Sequence, residues 1–225
     1  MNINVIIVAG GSGSRMNTET PKQLLSLKGK PVLAHTIERF HSFCVTADII
    51  VVLPKKQIKT WQKYIDEEMF SIPHKLTLGG ETRFHSVKNG LAKIKGNDGI
   101  VMIHDGVRPL VDNATLKRCV EGAEKHGAIV PVRNTTESLR LINDDNSTTA
   151  IDRSKYLTVQ TPQTFSTPLI TACYMQEYKD SFTDDASVAE NAGIKVECVE
   201  GNAENIKITY PSDLKIAEVL LDFIN

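Results

Sequence analysis

The residues best suited to chemistry stand near the amino terminus of the 225-residue chain, where an apolar run leads into a glycine-rich stretch and two cations. The run Val5–Ala9 is typical of a buried parallel strand. Glycines allow the backbone to approach a ligand closely and to point N–H groups at it. The glycines of this stretch are Gly10, Gly11 and Gly13. Arg15 can bind phosphate oxygens through its planar guanidinium, and Lys22 can add a point charge. The pattern indicates a polyphosphate site, with an ordinary exposed turn and two solvated cations as the alternative.

Two familiar phosphate-binding loops do not match this stretch. The dinucleotide pattern G-x-G-x-x-G would begin at Gly11, but Met16 stands where its third glycine belongs, which disfavours a dehydrogenase. A P-loop requires Gly-Lys-Ser/Thr after its first glycines, and that sequence is missing here. The stretch is therefore either a different kind of phosphate loop or an ordinary glycine-rich turn.

A second group of charged residues follows the predicted strand Ile100–His104. Asp105 can hold Mg²⁺ or another divalent cation against phosphates, because Mg²⁺ often takes only one or two protein carboxylates. Arg108 would orient that carboxylate, or the two would form a buried structural ion pair. His104 lacks an accompanying histidine cluster, so we expect a packed strand-end residue and no zinc site.

A third group lies in the glycine-rich segment between a predicted strand and a predicted helix. The backbone at Gly79 and Gly80, together with the Ser86 hydroxyl, can recognise the flat edge of a base. The alternative is a turn in which Glu81 or Thr82 caps the following helix.

Two more cations, Arg153 and Lys207, would suit a second phosphate group. The alternation around Lys207 predicts a strand, Ile206–Thr209, that places Asn205 and Lys207 on one face. An exposed lysine on a strand is more often merely solvated. A nucleophilic serine motif of the G-x-S-x-G type is missing from the sequence.

Strand-like runs alternate with amphipathic helical segments along the chain, which predicts an α/β fold with a mostly parallel sheet and helices on both faces. Ligands of such sheets bind at the carboxyl ends of the strands, where the polar groups above are found. The predicted strands are Val5–Ala9, Ile49–Leu53, Leu76–Leu78, Ile100–His104, Ala128–Val132, Ile194–Val199 and Ile206–Thr209.

One segment, Thr135–Asp152, interrupts this alternation with a strand, a polar turn and a second strand. An isolated two-stranded ribbon is only marginally stable in water. We therefore expect this hairpin (residues 135–152, hereafter the arm) to pack on another subunit. A surface hairpin without a partner is the alternative.

Length and composition are those of one globular domain covering residues 1–225, with 41% hydrophobic residues, 24% charged residues and a net charge of −1. The charge disfavours a nucleic-acid binder, and the sequence predicts neither a membrane helix nor a signal peptide. The four cysteines are widely separated, as expected of reduced thiols in a cytoplasmic protein.

Taken in order, these motifs resemble the 2-C-methyl-D-erythritol 4-phosphate cytidylyltransferase family of the non-mevalonate isoprenoid pathway. The resemblance covers essentially the whole chain, and the ordered set is specific although each motif is short. The matching segments are Ala9–Met16, Pro21–Gln23, Gly80–Arg83, His104–Pro109, Asp152–Arg153, Thr161–Gln163, Thr183–Ser187, Val199–Gly201 and Asn205–Thr209.

The resemblance implies a Rossmann-like nucleotidyltransferase fold in which the arm projects and builds a homodimer. It implies transfer of CMP from CTP to 2-C-methyl-D-erythritol 4-phosphate, giving 4-diphosphocytidyl-2-C-methyl-D-erythritol and pyrophosphate. Arg15 and Lys22 would stabilise the transition state, Arg153 and Lys207 would position the acceptor phosphate, and Asp105 would hold Mg²⁺. The residues implied to bind the nucleotide or its surroundings are Ala9, Gly10, Gly11, Gly13, Gly80, Glu81, Arg83, Ser86, Asp105, Thr135, Thr161 and Thr183.

Two alternatives remain open from the sequence. The ribitol-5-phosphate cytidylyltransferases share several motifs, and Ala9-Gly10-Gly11 is common among them, but Asp152 before Arg153 and the complete Thr183–Ser187 motif favour the methylerythritol family. A non-catalytic nucleotide-binding module is the second alternative. It is disfavoured because the charged residues of the motifs are intact.

Overall fold

The computed structural model describes residues 1–11, 16 and 20–224. Within these residues, strands and helices alternate through most of the chain as the periodicity predicts, except for two runs of consecutive strands, residues 26–31 and 128–166. The strands are β1 (Ile3–Val8), β2 (Ser26–Leu27), β3 (Lys30–Pro31), β4 (Asp48–Leu53), β5 (Lys75–Leu78), β6 (Ile100–Asp105), β7 (Ala128–Asn134), β8 (Arg140–Ile142), β9 (Thr148–Ala150), β10 (Leu157–Val159), β11 (Gln163–Ser166) and β12 (Glu197–Glu200). The helices are α1 (Val32–Phe43), α2 (Lys55–Glu67), α3 (Arg83–Leu91), α4 (Asn113–His126), α5 (Thr167–Cys173), α6 (Asp185–Asn191) and α7 (Pro211–Leu220).

The main sheet has the order β10-β7-β11-β6-β1-β4-β5, and β12 also pairs with β7. Strand β1 lies between β6 and β4 and is parallel to both, with Val8 opposite Asp105 and Val52. The carboxyl ends of these three strands therefore meet at one edge of the sheet, as the sequence predicts.

The sheet departs from a purely parallel one at β10, which is antiparallel to β7, and at β11, which is antiparallel to both β6 and β7. Sequence periodicity misses β11 because three of its four residues are polar. The sheet accommodates them because Gln163 and Thr164 are buried and make hydrogen bonds to neighbouring groups.

Helices cover both faces of the sheet, and the alternation of β1 shows why. Val5 and Ile7 join the apolar cluster that packs with α1, α2 and α4, whereas Ile6 joins the cluster with α3, α5 and α6. A strand whose two faces are both buried must be apolar along its whole length, which explains the continuous run in the sequence.

The ends of the helices follow capping chemistry that is visible in the sequence. The Asp112 carboxylate accepts a hydrogen bond from the Thr115 N–H at 2.7 Å, and α4 ends at Gly127 with a φ of 82°. Asp184 and Ser187 form a reciprocal capping box at the start of α6.

Gly90 lets α3 pack unusually close to the sheet. A Cβ at this position would lie 2.7 Å from Cγ2 of Ile6 and 3.3 Å from Cγ2 of Val52. Any side chain here would push α3 away from β1 and β4.

The arm is present as the antiparallel pair β8 and β9, with Arg140 opposite Ala150 and Ile142 opposite Thr148. Every residue of both strands is exposed. The hairpin itself is therefore confirmed, while its role in forming a dimer stays a prediction.

The predicted strand Ile206–Thr209 is wrong. This segment is an extended loop, in which the Ile208 N–H donates to the Val107 carbonyl at 3.0 Å without forming a ladder. The alternation of isoleucines in the sequence reflects burial of Ile208 in the cluster beneath α7 and not strand pairing. None of the described helices has the length and apolar content needed to cross a bilayer.

Candidate functional site

A cavity of about 330 Å³ opens at the carboxyl ends of β1 and β6. It brings together residues that are far apart in the sequence, including most of those predicted to bind or react. The predicted residues that line it are Ala9, Gly10, Gly11, Lys22, Gly80, Glu81, Arg83, Ser86, Asp105 and Lys207.

The other predicted site residues are not part of the cavity wall. Gly13 and Arg15 lie outside the described residues. Thr183 is exposed just before α6, and Thr161 is buried beneath the cavity. Thr135 follows β7, and Arg153 is an exposed residue of a short 3-10 helix at the base of the arm, where its guanidinium donates to the Thr136 carbonyl.

Asp105 is surrounded by three cations. Its Oδ2 atom lies 3.0 Å from Lys207 Nζ and 3.3 Å from Arg108 Nε, and its Oδ1 atom lies 4.0 Å from Arg83 Nε. Burial alone would raise the pKa of Asp105, but these three cations together hold the pKa of that carboxyl well below its usual range. Asp105 is therefore ionised and paired with Arg108, as one of the two interpretations of the sequence predicts, and it also lines the cavity, while its role as a metal ligand stays a prediction.

A chain of hydrogen bonds fixes the backbone beneath Asp105. The Asp105 N–H donates to Thr161 Oγ1 at 3.1 Å, and His104 Nε2 donates to the Arg108 carbonyl at 2.9 Å. Because Nε2 carries the proton, Nδ1 of a neutral His104 accepts from the Thr161 hydroxyl, 3.0 Å away. Burial lowers the pKa of His104 to about 4, which agrees with the neutral form.

This arrangement corrects the prediction for Thr161. The Thr161 hydroxyl accepts from the Asp105 N–H and donates to His104, and Thr161 does not line the cavity. The residue therefore supports the site from below. The prediction that His104 is a packed strand-end residue fits its contacts, including a T-shaped contact with Phe40 at 4.8 Å.

Lys22 is not the solvated cation of an exposed turn, which was the alternative that the sequence left open. It begins a 3-10 helix, Lys22–Leu24, and is only 8% exposed, with its Nζ donating to the Ile208 carbonyl at 3.1 Å. The neighbouring Gln23 donates to the Ala9 carbonyl at 2.7 Å, which ties this helix to the end of the predicted phosphate loop. The ammonium group is thus held at the cavity by the fold.

The segment predicted to recognise a base has a fixed shape. The Gly80 N–H donates to Ser86 Oγ at 3.0 Å, and a Cβ on Gly80 would lie only 2.3 Å from Cβ of His85. Ser86 Oγ accepts this bond, and a hydroxyl that accepts one hydrogen bond can also donate one. The capping alternative is confirmed, since Thr82 Oγ1 accepts from the His85 N–H at the start of α3, while recognition of a base stays a prediction.

Sequence reasoning missed the partner of Arg83. Its Nη1 donates to Asp185 Oδ1 at 2.5 Å, across a separation of 102 residues. The Thr183–Ser187 motif marks Asp185 in the sequence, but only as part of a helix cap, and nothing there links it to Arg83.

The cavity suits a divalent cation bound together with phosphates. No group of three or more histidine, cysteine, aspartate or glutamate side chains in the described residues could hold a metal ion unaided. Mg²⁺ needs no such group, because substrate phosphates and water supply most of its ligands. An ionised carboxylate on the cavity wall, that of Asp105, fits this requirement.

Comparisons with known proteins agree with this geometry. A sequence model of the family described as 2-C-methyl-D-erythritol 4-phosphate cytidylyltransferase matches residues 3–222. A relative of that name from Bacteroides thetaiotaomicron is 50% identical over 98% of this chain and 100% of its own length. A relative of the same name from Porphyromonas gingivalis is 48% identical over 96% of both chains.

Solved structures show the same likeness. The crystal structure of 4-diphosphocytidyl-2C-methyl-D-erythritol synthase from Anaerococcus prevotii superposes with a TM-score of 0.82 at 28% identity, covering 98% of this chain and 96% of that one. The match therefore extends over the whole α/β architecture and not only over the cavity. The chain belongs to the 2-C-methyl-D-erythritol 4-phosphate cytidylyltransferase family.

Proposed function

We propose that this protein transfers CMP from CTP to 2-C-methyl-D-erythritol 4-phosphate, forming 4-diphosphocytidyl-2-C-methyl-D-erythritol and pyrophosphate for isoprenoid precursor synthesis. Family membership supports this activity. The observation that carries it is the convergence of Lys22, Lys207 and Arg83 on one cavity around an ionised Asp105. A cavity with this charge pattern suits two polyanions held side by side.

The proposed chemistry needs positioning and charge stabilisation more than proton transfer. A phosphate monoester is already an anionic nucleophile, so the reaction requires no general base. The chain must hold acceptor and α-phosphate in line and must neutralise the charge that develops there. Lys22, fixed by the Ile208 carbonyl, is suited to that neutralisation, and Arg15 is proposed to share it.

The remaining roles follow from position in the cavity. Gly80 and Ser86 would recognise the cytosine edge, and Lys207, which is half exposed beside Asp105, would contact the acceptor phosphate. A divalent cation such as Mg²⁺, held by Asp105 and by phosphate oxygens, would neutralise part of the triphosphate charge when bound.

We further propose a homodimer in which the arm completes the partner's cavity. Arg153 and Thr135 lie at the base of the arm and away from their own cavity, although the resemblance places them near substrate. Apolar residues of the arm and of β10 are exposed, among them Ile142 at 72% and Leu157 at 47%. Four free cysteines also fit the proposed cytoplasmic location.

The deciding experiment measures pyrophosphate release with CTP and one of two acceptors, 2-C-methyl-D-erythritol 4-phosphate or D-ribitol 5-phosphate. We expect release that depends on the methylerythritol acceptor. Faster release with ribitol phosphate would move the chain to the sister activity. CTP binding without release with either acceptor would favour a non-catalytic module.

A further inference from the structure

Arg83 lies between two carboxylates at the wall of the cavity. Its Nη1 donates to Asp185 Oδ1 at 2.5 Å, whereas its Nε stays 4.0 Å from Asp105 Oδ1. The first distance is a charge-assisted hydrogen bond, and the second is too long for any hydrogen bond. Arg83 is thus bound to the deeper carboxylate and only close to the one that faces the cavity.

Asp185 cannot follow the guanidinium toward the cavity. It is completely buried as the first residue of α6, and its Oδ1 also accepts a hydrogen bond from the Tyr174 hydroxyl at 2.6 Å. The preceding Asp184 is held by Gln163 at 2.7 Å and by its capping box. The carboxylate that restrains Arg83 is therefore itself fixed on two sides.

The two oxygens of Asp105 consequently differ. Oδ2 is contacted by Lys207 and Arg108, at 3.0 and 3.3 Å. Oδ1 has only Arg83 nearby, at 4.0 Å, among the described residues. A movement of Arg83 by about 1 Å would bring its Nε into hydrogen-bonding range of Oδ1 and occupy that oxygen.

We propose that Asp185 is a positioning residue that holds Arg83 back from Asp105, so that Oδ1 of Asp105 stays open for a divalent cation bound with the nucleotide. This inference rests on the proposed function, because it concerns the same cavity. In this arrangement the positive charge of Arg83 remains next to Asp105, but its guanidinium does not occupy the position on Oδ1 that the cation would take.

The test is a titration of the whole protein with Mn²⁺ in the presence of CTP, followed by electron paramagnetic resonance of the free ion and referenced to the same titration of CTP alone, which also binds Mn²⁺. Asp185→Asn keeps the side-chain volume but removes the charge that restrains Arg83. Binding should weaken about tenfold, the lower end of the effect of residues that orient metal ligands. Asp48→Asn is the matched control, because it removes the carboxylate of an ion pair with Lys75 at the opposite end of the sheet and should leave Mn²⁺ binding unchanged.

The double variant Arg83→Gln/Asp185→Asn distinguishes the restraint of Arg83 by Asp185 from a general structural role of Asp185. With both charges absent, nothing closes Oδ1, so binding should be stronger than in Asp185→Asn alone through non-additive coupling of the two sites, and Arg83→Gln alone measures what loss of the arginine's own charge costs. The double variant also leaves neither buried charge unpaired, so it remains informative if Asp185→Asn alone does not fold.

Three results would overturn the inference. These are wild-type affinity in a folded Asp185→Asn protein, a folded double variant that binds as weakly as the single variant, or a wild-type protein that binds no Mn²⁺ with CTP. None of these measurements requires turnover. A failure of the proposed function, seen as absent acceptor-dependent pyrophosphate release, is therefore distinguished from a failure of the restraint.

Discussion

The cavity and the arm differ in where their side chains find partners. In the cavity, Asp105, Arg83 and Lys22 are each held by hydrogen bonds or ion pairs to other parts of the same chain. In the arm, both strands are exposed throughout, and apolar residues such as Leu141 and Ile142 face solvent. The fold of one chain therefore builds the cavity wall, whereas the arm gains apolar burial only by contacting another surface.

This contrast separates two kinds of substitution. Changes in the cavity should alter chemistry or stability in a single chain, and changes in the arm should alter association and whatever the arm supplies to a second copy. Substitutions in the two regions should therefore have separable effects, the largest of them in the cavity.

Lys22→Met should lower kcat by about 100- to 1000-fold, because it removes a charge that stabilises the reacting phosphate while keeping most of the buried side chain. Steady-state pyrophosphate release measures the effect, and Lys88→Met, on the exposed side of α3, is the control. A normal kcat with only a raised KM would show that Lys22 binds the ground state alone.

The free energy of unfolding should fall by about 3 kcal/mol between pH 7 and pH 4, because the folded chain keeps His104 neutral. In the unfolded chain the imidazole takes a proton below about pH 6.5, whereas the buried imidazole resists protonation down to about pH 4. The contribution of His104 to the free energy of unfolding is therefore complete above this range of pH and is lost within it. Urea denaturation in EDTA at several pH values measures the loss.

His104→Gln should flatten this dependence on pH. His126→Gln, which removes an exposed imidazole at the end of α4, should retain it. Equal slopes for all three proteins would show that His104 is not the responsible group.

Leu157→Lys should weaken the proposed dimer about tenfold or more, since it places a charge among exposed apolar residues that are expected to be buried on association. Sedimentation equilibrium measures the dissociation constant. Val219→Lys on α7 changes an equally apolar exposed residue away from the arm and should have no effect. A monomeric wild-type protein that is fully active would contradict the proposed role of the arm.

Mixing Lys22→Ala with Arg153→Ala protein should restore activity at about a quarter of all sites after random exchange of subunits in a C₂ dimer. Heterodimers would contain one site with both residues intact, because Arg153 would act in the partner's cavity. Pyrophosphate release after confirmed exchange measures the recovery. If none appears, Arg153 does not act across the dimer.

The sequence alone was sufficient to predict an element wherever the residues of that element carry a local pattern of their own. The apolar run of β1, the cap of α4 at Gly127 and the hairpin of the arm all follow from local periodicity and turn chemistry. The glycine-rich segments and Asp105 also lie at one edge of the sheet, because parallel strands bring their carboxyl ends together, whereas Lys207 reaches the same cavity on a loop and not on the predicted strand.

What the sequence could not supply depends on contacts between distant segments. The pairing of Arg83 with Asp185, the burial of Lys22 under the Ile208 carbonyl and the insertion of β11 between β6 and β7 leave no periodic signal. The segment Ile206–Thr209 shows the opposite error, because the sequence predicts a strand where the structure has none. Its alternation of apolar and polar residues reflects the burial of Ile208 and not strand pairing.

The close approach at Gly90 has a consequence for motion. Because α3 is packed closely against β1 and β4 there, the segment Gly80–Ser86, which contains the start of α3, and Gly10 and Gly11, which follow β1, are attached to one closely packed pair of elements. Thermal displacements of these two segments should therefore be correlated. The distance between a bound base and its phosphates would then be set by the sheet and not by loop fluctuations.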